Sequence, residues 1–314
     1  MILFLKLIRV TNLLIGALSL FLLRFCIMLP VFEKSNLSLQ INTFNFIMFV
    51  LMSMLTAASG YIINDYYDIE SDRINKPQKN IIGSKIPVMT ALIIYFSFII
   101  ISIAIGIYLS LIAGEIKLGI INILAILMLW HYSYRTKHKL LIGNIIVALI
   151  SSFYAVIYFW LFEFFMLKSN PIEFPDAIKV FELLNPIVWS YFGFAFLVSI
   201  IREVIKDVED IEGDKKYGSR TMPIIFGFLK TKIILFILII ICISLLALAQ
   251  YFLISNSFQK VFWYIAIVVQ PLLIYLSYLI IKSKNNTNFH FLGNTAKIIM
   301  LAGILSMQLF CVSF

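Results

Sequence analysis

The sequence predicts an all-α integral membrane bundle of about nine transmembrane helices, and three observations carry that prediction. Of 314 residues, 62% are hydrophobic and only 13% are charged, a balance foreign to soluble domains. Apolar runs of about 20 residues, the helix length that crosses roughly 30 Å of hydrocarbon, recur with no soluble-sized segment between them. Lys and Arg gather in alternate connections, as in a chain threaded repeatedly through a bilayer.

The first run, near residues 10–30, follows Lys6 and Arg9 like the core of a signal peptide. Arg24 interrupts it and no small-residue cleavage site follows, so it reads as a retained span. The later runs lie near 42–63, 88–112, 116–133, 141–166, 186–206, 231–254, 261–281 and 296–313. They are rich in Ile, Leu and Phe without the polar alternation of a barrel strand. Backbone groups need internal partners in lipid, so each run is expected as a helix. Residues 1–314 are expected to form one polytopic domain.

Basic residues give the threading a direction. With the N-terminus inside, Arg24, Lys34, Lys117, Lys168, Lys179 and Lys260 fall outside and the other nineteen of 25 fall on or near the cytoplasmic side of a cell's inner (plasma) membrane. The net charge of +9 therefore reflects topology and anionic lipid at that leaflet, with no nucleic-acid partner, since no basic domain exists. Cys26, Cys242 and Cys311 all sit in apolar runs and form no C-x-x-C pair, so they are expected as packing residues, with neither a disulfide framework nor a zinc site.

Ten of the sixteen acids lie in two short segments that close the second and sixth spans. Asp65, Asp68 and Asp72 repeat at i, i+3, i+7, and so do Asp207, Asp210 and Asp214. On a helix this spacing stacks three carboxylates on one face, and Asn64 joins Asp68 and Asp72. One such cluster is as easily a solvated loop; two of matched spacing are poorly explained that way. Stacked like charges at a membrane surface call for a cation. Mg²⁺ takes oxygen ligands and is commonly shared between carboxylates and substrate phosphates. An EF-hand loop does not fit, because neither cluster places Gly sixth and Glu twelfth. Arg9, Arg73, Lys79, Lys137, Arg202, Lys206 and Arg220 fall on the same face. Topology explains any one of them, yet Arg and Lys are also the usual clamp on a diphosphate, and Arg9, Lys137 and Lys206 are the expected members.

These residues resemble the UbiA-type intramembrane prenyltransferase superfamily, whose motifs N-D-x-x-D-x-x-x-D and D-x-x-x-D stand here as Asn64-Asp65-Asp68-Asp72 and Asp210-Asp214. The resemblance extends to Arg9 and Asn12, Arg73 to Pro77, Tyr132 to Tyr134, Gly143-Asn144 and Thr221 to Pro223. It implies a UbiA-like bundle, a polyprenyl diphosphate donor, a lipophilic acceptor and Mg²⁺ on Asn64, Asp65, Asp68, Asp72, Asp207, Asp210 and Asp214. Asp68, Asp72, Asp210 and Asp214 are then catalytic, and Asp207 is less essential. Arg9, Asn12, Asn64, Arg73, Tyr132, Lys137, Asn144 and Lys206 are expected on the substrate.

The segment Arg202 to Asp214 is most similar to the branch that alkylates the hydroxyl of geranylgeranylglyceryl phosphate in ether-lipid synthesis. Val10-Thr11 and Lys79-Asn80 depart from the superfamily's usual Pro and Arg-Pro. An aromatic quinone precursor is the alternative acceptor. Ionisation of an allylic diphosphate leaves a cation that aromatic faces can steady, and Tyr66, Tyr67, Tyr132, Tyr134, Phe153, Tyr154 and Tyr158 are candidates, though most such side chains face lipid or pack. His131, His138 and His290 are not favoured as a base. A cation transporter is the rival class; it calls for acids at mid-span, and only Glu163 is a candidate.

Overall fold

The computed structural model describes residues 2–70, 81–137, 139–216, 218–283 and 289–313. Among them, nine helices are long and apolar enough to cross a membrane: α1 (Val10–Lys34), α2 (Thr43–Tyr67), α3 (Val88–Ile112), α4 (Ile116–Thr136), α5 (Ile142–Lys168), α6 (Phe174–Glu209), α7 (Met222–Ser255), α8 (Gln259–Lys282) and α9 (Phe289–Phe310). A short helix, Ile2–Leu7, precedes α1, and another, Ile211–Lys216, follows α6. The chain is a multi-pass membrane protein.

Each helix lies where an apolar run predicts one, and the ends differ for physical reasons. α6 begins at Phe174 rather than near 186 because its first turns are amphipathic. Ala177, Val180 and Leu184 are buried there while Asp176, Lys179 and Glu182 are exposed, so mean hydropathy does not register them. Pro186 sits inside α6 without ending it. α7 starts at Met222 because a first helical piece precedes a break at Gly227, whose φ is 79°. α2 starts where the Asn42 side chain accepts the Asn45 N–H at 2.8 Å, satisfying one of the donors a helix start leaves open.

α2 packs along α3, α3 along α4, and α6 against α5, α7 and α9. The outer face of α3 shows Ile93, Ile100 and Leu111 to the surroundings, which is unremarkable where the solvent is lipid. Between α2, α3, α4 and α5 runs a polar clamp. The Tyr154 hydroxyl donates to Asn122 Oδ1 at 2.6 Å, Thr56 reaches the same oxygen at 3.1 Å, and Asn122 Nδ2 donates to the Ser102 carbonyl at 3.1 Å. Such bonds tie helices together where apolar surface alone gives little drive to associate.

One expectation is overturned at the bundle end opposite the acid clusters. Cys26 and Cys311 form a disulfide, with their Cα atoms 4.5 Å apart across 285 residues of sequence, while Cys242 is free and buried. Spacing could not reveal this pair, because it depends on the first and last helices lying side by side. Alkylation of unfolded, unreduced protein should therefore label Cys242 alone, and prior reduction should add two labels by intact mass.

Candidate active site

α2 and α6 deliver their acids to the same end of the bundle, and the α4–α5 connection together with the first turn of α5 ties the two clusters together. Lys137 in that connection pairs with Asp68 Oδ2. Seven residues on, Asn144 Nδ2 donates to Asp207 Oδ2 at 2.8 Å. Gly143 lets α5 start this close: a Cβ there would lie 2.8 Å from the Thr136 carbonyl oxygen. The π-helical turn Tyr132–Thr136 re-aims side chains at the end of α4, a device frequent at functional sites.

Arg9 reaches the first cluster from the other side. Its guanidinium lies 2.5 Å from Asp65 Oδ1 and 4.8 Å from the centre of the Tyr61 ring. The backbone at Arg9 has φ 50° and ψ 53°, a left-handed conformation unusual for this residue type, which separates the Ile2–Leu7 helix from α1. In the second cluster, Arg202 pairs with buried Glu203 at 3.3 Å. Burial first, and then the Asp210 charge, push the Asp214 carboxyl up to about 6, while Lys137 and Lys206 pull it down. Asp68 also acts on Asp214, so the two clusters share one electrostatic field.

Beneath the acids a cleft of about 1820 Å³, mouth included, descends between α1, α2, α4, α5, α6 and α9. Arg9, Asn12, Asn64, Tyr132 and Lys206 line its upper part, and Leu20, Ser53, Phe194 and Met307 its lower part. Its exposed lining is predominantly apolar, as a prenyl tail requires.

The expected residues are thus distributed unevenly. Asn144 lies behind Asp207, and Asp65 is engaged by Arg9. Asp72, Arg73, Lys79 and His138 lie outside the described residues. Of the aromatics named from sequence, Tyr132 and Tyr154 line the cleft. Tyr158 is fully buried and donates to the Leu118 carbonyl at 2.6 Å, and Tyr67 and Tyr134 are exposed. Sequence reading passed over Tyr61 and Glu203 as cleft residues; Tyr61 stands one turn before Asn64 on the same helix face, which is the signal that would have found it.

No three carboxylate, histidine or cysteine side chains among the described residues are grouped to hold a metal ion. The donor set nevertheless suits a hard cation. Asn64 is buried, its Nδ2 donates to Asp68 at 3.1 Å, and its Oδ1 is buried with no hydrogen-bond partner among the described residues. A buried acceptor left unpaired is costly, and here it stands beside an acid cluster.

Chemistry on a lipid diphosphate inside a bilayer needs an ionic head site opening directly onto an apolar trough, and a nine-helix protein that joins the two is an intramembrane prenyltransferase. Comparison with known sequences bears this out. The chain belongs to the UbiA prenyltransferase family, whose pattern matches residues 35–295. It is 33% identical over 272 residues to the digeranylgeranylglyceryl phosphate synthase of Methanosphaera stadtmanae, covering 85% of this chain and 89% of that one. It is 28% identical to the same enzyme of Thermococcus gammatolerans, over 78% of each chain. The fold is also that of a solved digeranylgeranylglyceryl phosphate synthase, with a TM-score of 0.63 at 23% identity over 99% of this chain and 98% of that one. A UbiA homologue from Archaeoglobus fulgidus bound to GPP and Mg²⁺ gives 0.59 at 18% identity, over 97% and 99%.

Proposed function

We propose that this chain, acting as one polytopic domain, transfers a geranylgeranyl group from its diphosphate to the hydroxyl of geranylgeranylglyceryl phosphate. The observation that carries the reading is the meeting of both acid clusters over a single apolar cleft. The acceptor rests on the names of the relatives, and the placement of the acidic end in the cytoplasm, at the plasma membrane, rests on the basic residues gathered there.

Mg²⁺ would be held by Asn64, Asp68, Asp72, Asp210 and Asp214, with Asp65 and Asp207 contributing outer oxygens, and when bound it supplies positive charge to the diphosphate leaving group. Arg9, Arg73, Lys137 and Lys206 add fixed cations to the same group, worth most in a site that excludes water. Asn144 holds Asp207 in place. Asn12, Tyr61 and Tyr132 line the cleft, where the two rings would steady the carbon that becomes cationic. The C1–diphosphate bond breaks, a C1–oxygen ether bond forms to the acceptor hydroxyl, and the hydroxyl proton leaves with the diphosphate.

Replacing Arg9 with alanine should raise KM for the prenyl diphosphate at least tenfold, as expected for one charge-assisted bond of about 1.5–3 kcal/mol. An unchanged KM would remove Arg9 from the head site. The reading as a whole is tested by incubating membranes with radiolabelled geranylgeranyl diphosphate, with Mg²⁺ or with chelator. Metal-dependent transfer to geranylgeranylglyceryl phosphate supports it. Transfer to 4-hydroxybenzoate instead would move the acceptor to quinone precursors, and no transfer to either would overturn the proposal.

A further inference from the structure

The cleft has a floor, and a second cavity lies directly beyond it. This cavity, half open and about 460 Å³ with its mouth included, lies between α6, α7, α8 and α9 and is lined by apolar side chains such as Ile187, Leu246, Val261 and Phe310. Tyr191 and Phe194 line both spaces, so these two rings separate them.

Two contacts hold the rings in place. Ser306 donates its hydroxyl proton to the Gly303 carbonyl at 2.6 Å, so the Tyr191 hydroxyl, 2.6 Å from Ser306 Oγ, is the donor in that second bond. The chain Tyr191–Ser306–Gly303 fastens α6 to α9. Phe194 is seated on Gly303 so closely that a Cβ there would fall 2.1 Å from the ring. No other residue type leaves room for this ring position.

The depth of the floor matches a particular tail. From Lys206 at the head of the cleft to Tyr191 is fifteen residues of α6, about 22 Å at helical rise. A prenyl unit puts four carbon bonds in its main chain, each about 1.5 Å long, and so extends roughly 4–5 Å. Four units fill about 16–20 Å below the head group, and a fifth, at about 20–25 Å, reaches the level of the rings.

We propose that Tyr191 and Phe194, locked by Ser306 and Gly303, form the floor of the donor channel and set its limit at four prenyl units. The cavity beyond is the space a fifth unit would take once the floor is removed. This rests on the donor reading above. Ring removal joins the two cavities, whereas loss of the hydroxyl alone leaves the ring in the way.

The test is a donor series of three, four and five prenyl units, with kcat/KM from label transfer and binding from competition against labelled geranylgeranyl diphosphate. Native protein should discriminate against five units by at least tenfold. The double variant Y191A/F194A should raise the five-to-four ratio at least tenfold in both readouts, and Tyr191→Phe should shift it less than threefold. A ratio within twofold of native in folded double variant overturns the proposal. Should the double variant not fold, Y191L/F194L, which removes both rings but keeps more of their volume, carries the same expectation and the same refutation. Absence of transfer with normal binding would fault the reaction assigned above and leave the floor to be judged on binding alone.

Discussion

Alanine at position 68 should lower kcat/KM for prenyl transfer by at least about 10³-fold, equivalent to roughly 4 kcal/mol of lost transition-state stabilisation. Asp68 is buried and contacts both Asn64 Nδ2 and Lys137 Nζ. Its removal therefore takes an oxygen from the head site and frees the cation that ties the α4–α5 connection to α2. Asn at the same position keeps the shape and the contact with Asn64 but not the charge, and should be nearly as inactive. Radiolabel transfer by matched amounts of folded protein measures the effect. A loss below tenfold would show that the first cluster is not where charge develops.

The largest loss of stability should come from Glu163→Ala at the other end of the molecule, about 3 kcal/mol by the usual cost of stranding buried polar partners. Glu163 is fully buried and accepts the backbone N–H groups of Gln40 and Ile41, the latter at 3.2 Å, while Arg24 donates to the Ile41 carbonyl at 2.7 Å. It pins the α1–α2 connection to α5. Thermal unfolding in detergent should fall by several degrees, with activity per folded molecule retained. An unchanged midpoint would show that the connection is held by other means. The same geometry places Glu163 near the end of α5 rather than at mid-span and gives it a bracing role, which removes the acid a conduction pathway would have used.

The sequence by itself determined the class. Among the described residues nine apolar runs became nine helices because lipid allows the backbone no other open arrangement, and the repeated i, i+3, i+7 spacing marked the acids at span ends. One continuous helix face was not the outcome, because α2 ends at Tyr67 and α6 at Glu209, leaving Asp68 and Asp210 as non-helical caps. What it could not determine were relations between distant segments. That Arg9 meets Asp65, that Lys137 and Asn144 reach different clusters, that Cys26 pairs with Cys311, and that Tyr191 closes a cleft against Ser306 all depend on which helices become neighbours. Local pattern fixes only which face of a helix is apolar or charged, whereas neighbours are chosen by packing over the whole bundle, in which every helix competes with lipid for the same apolar surface.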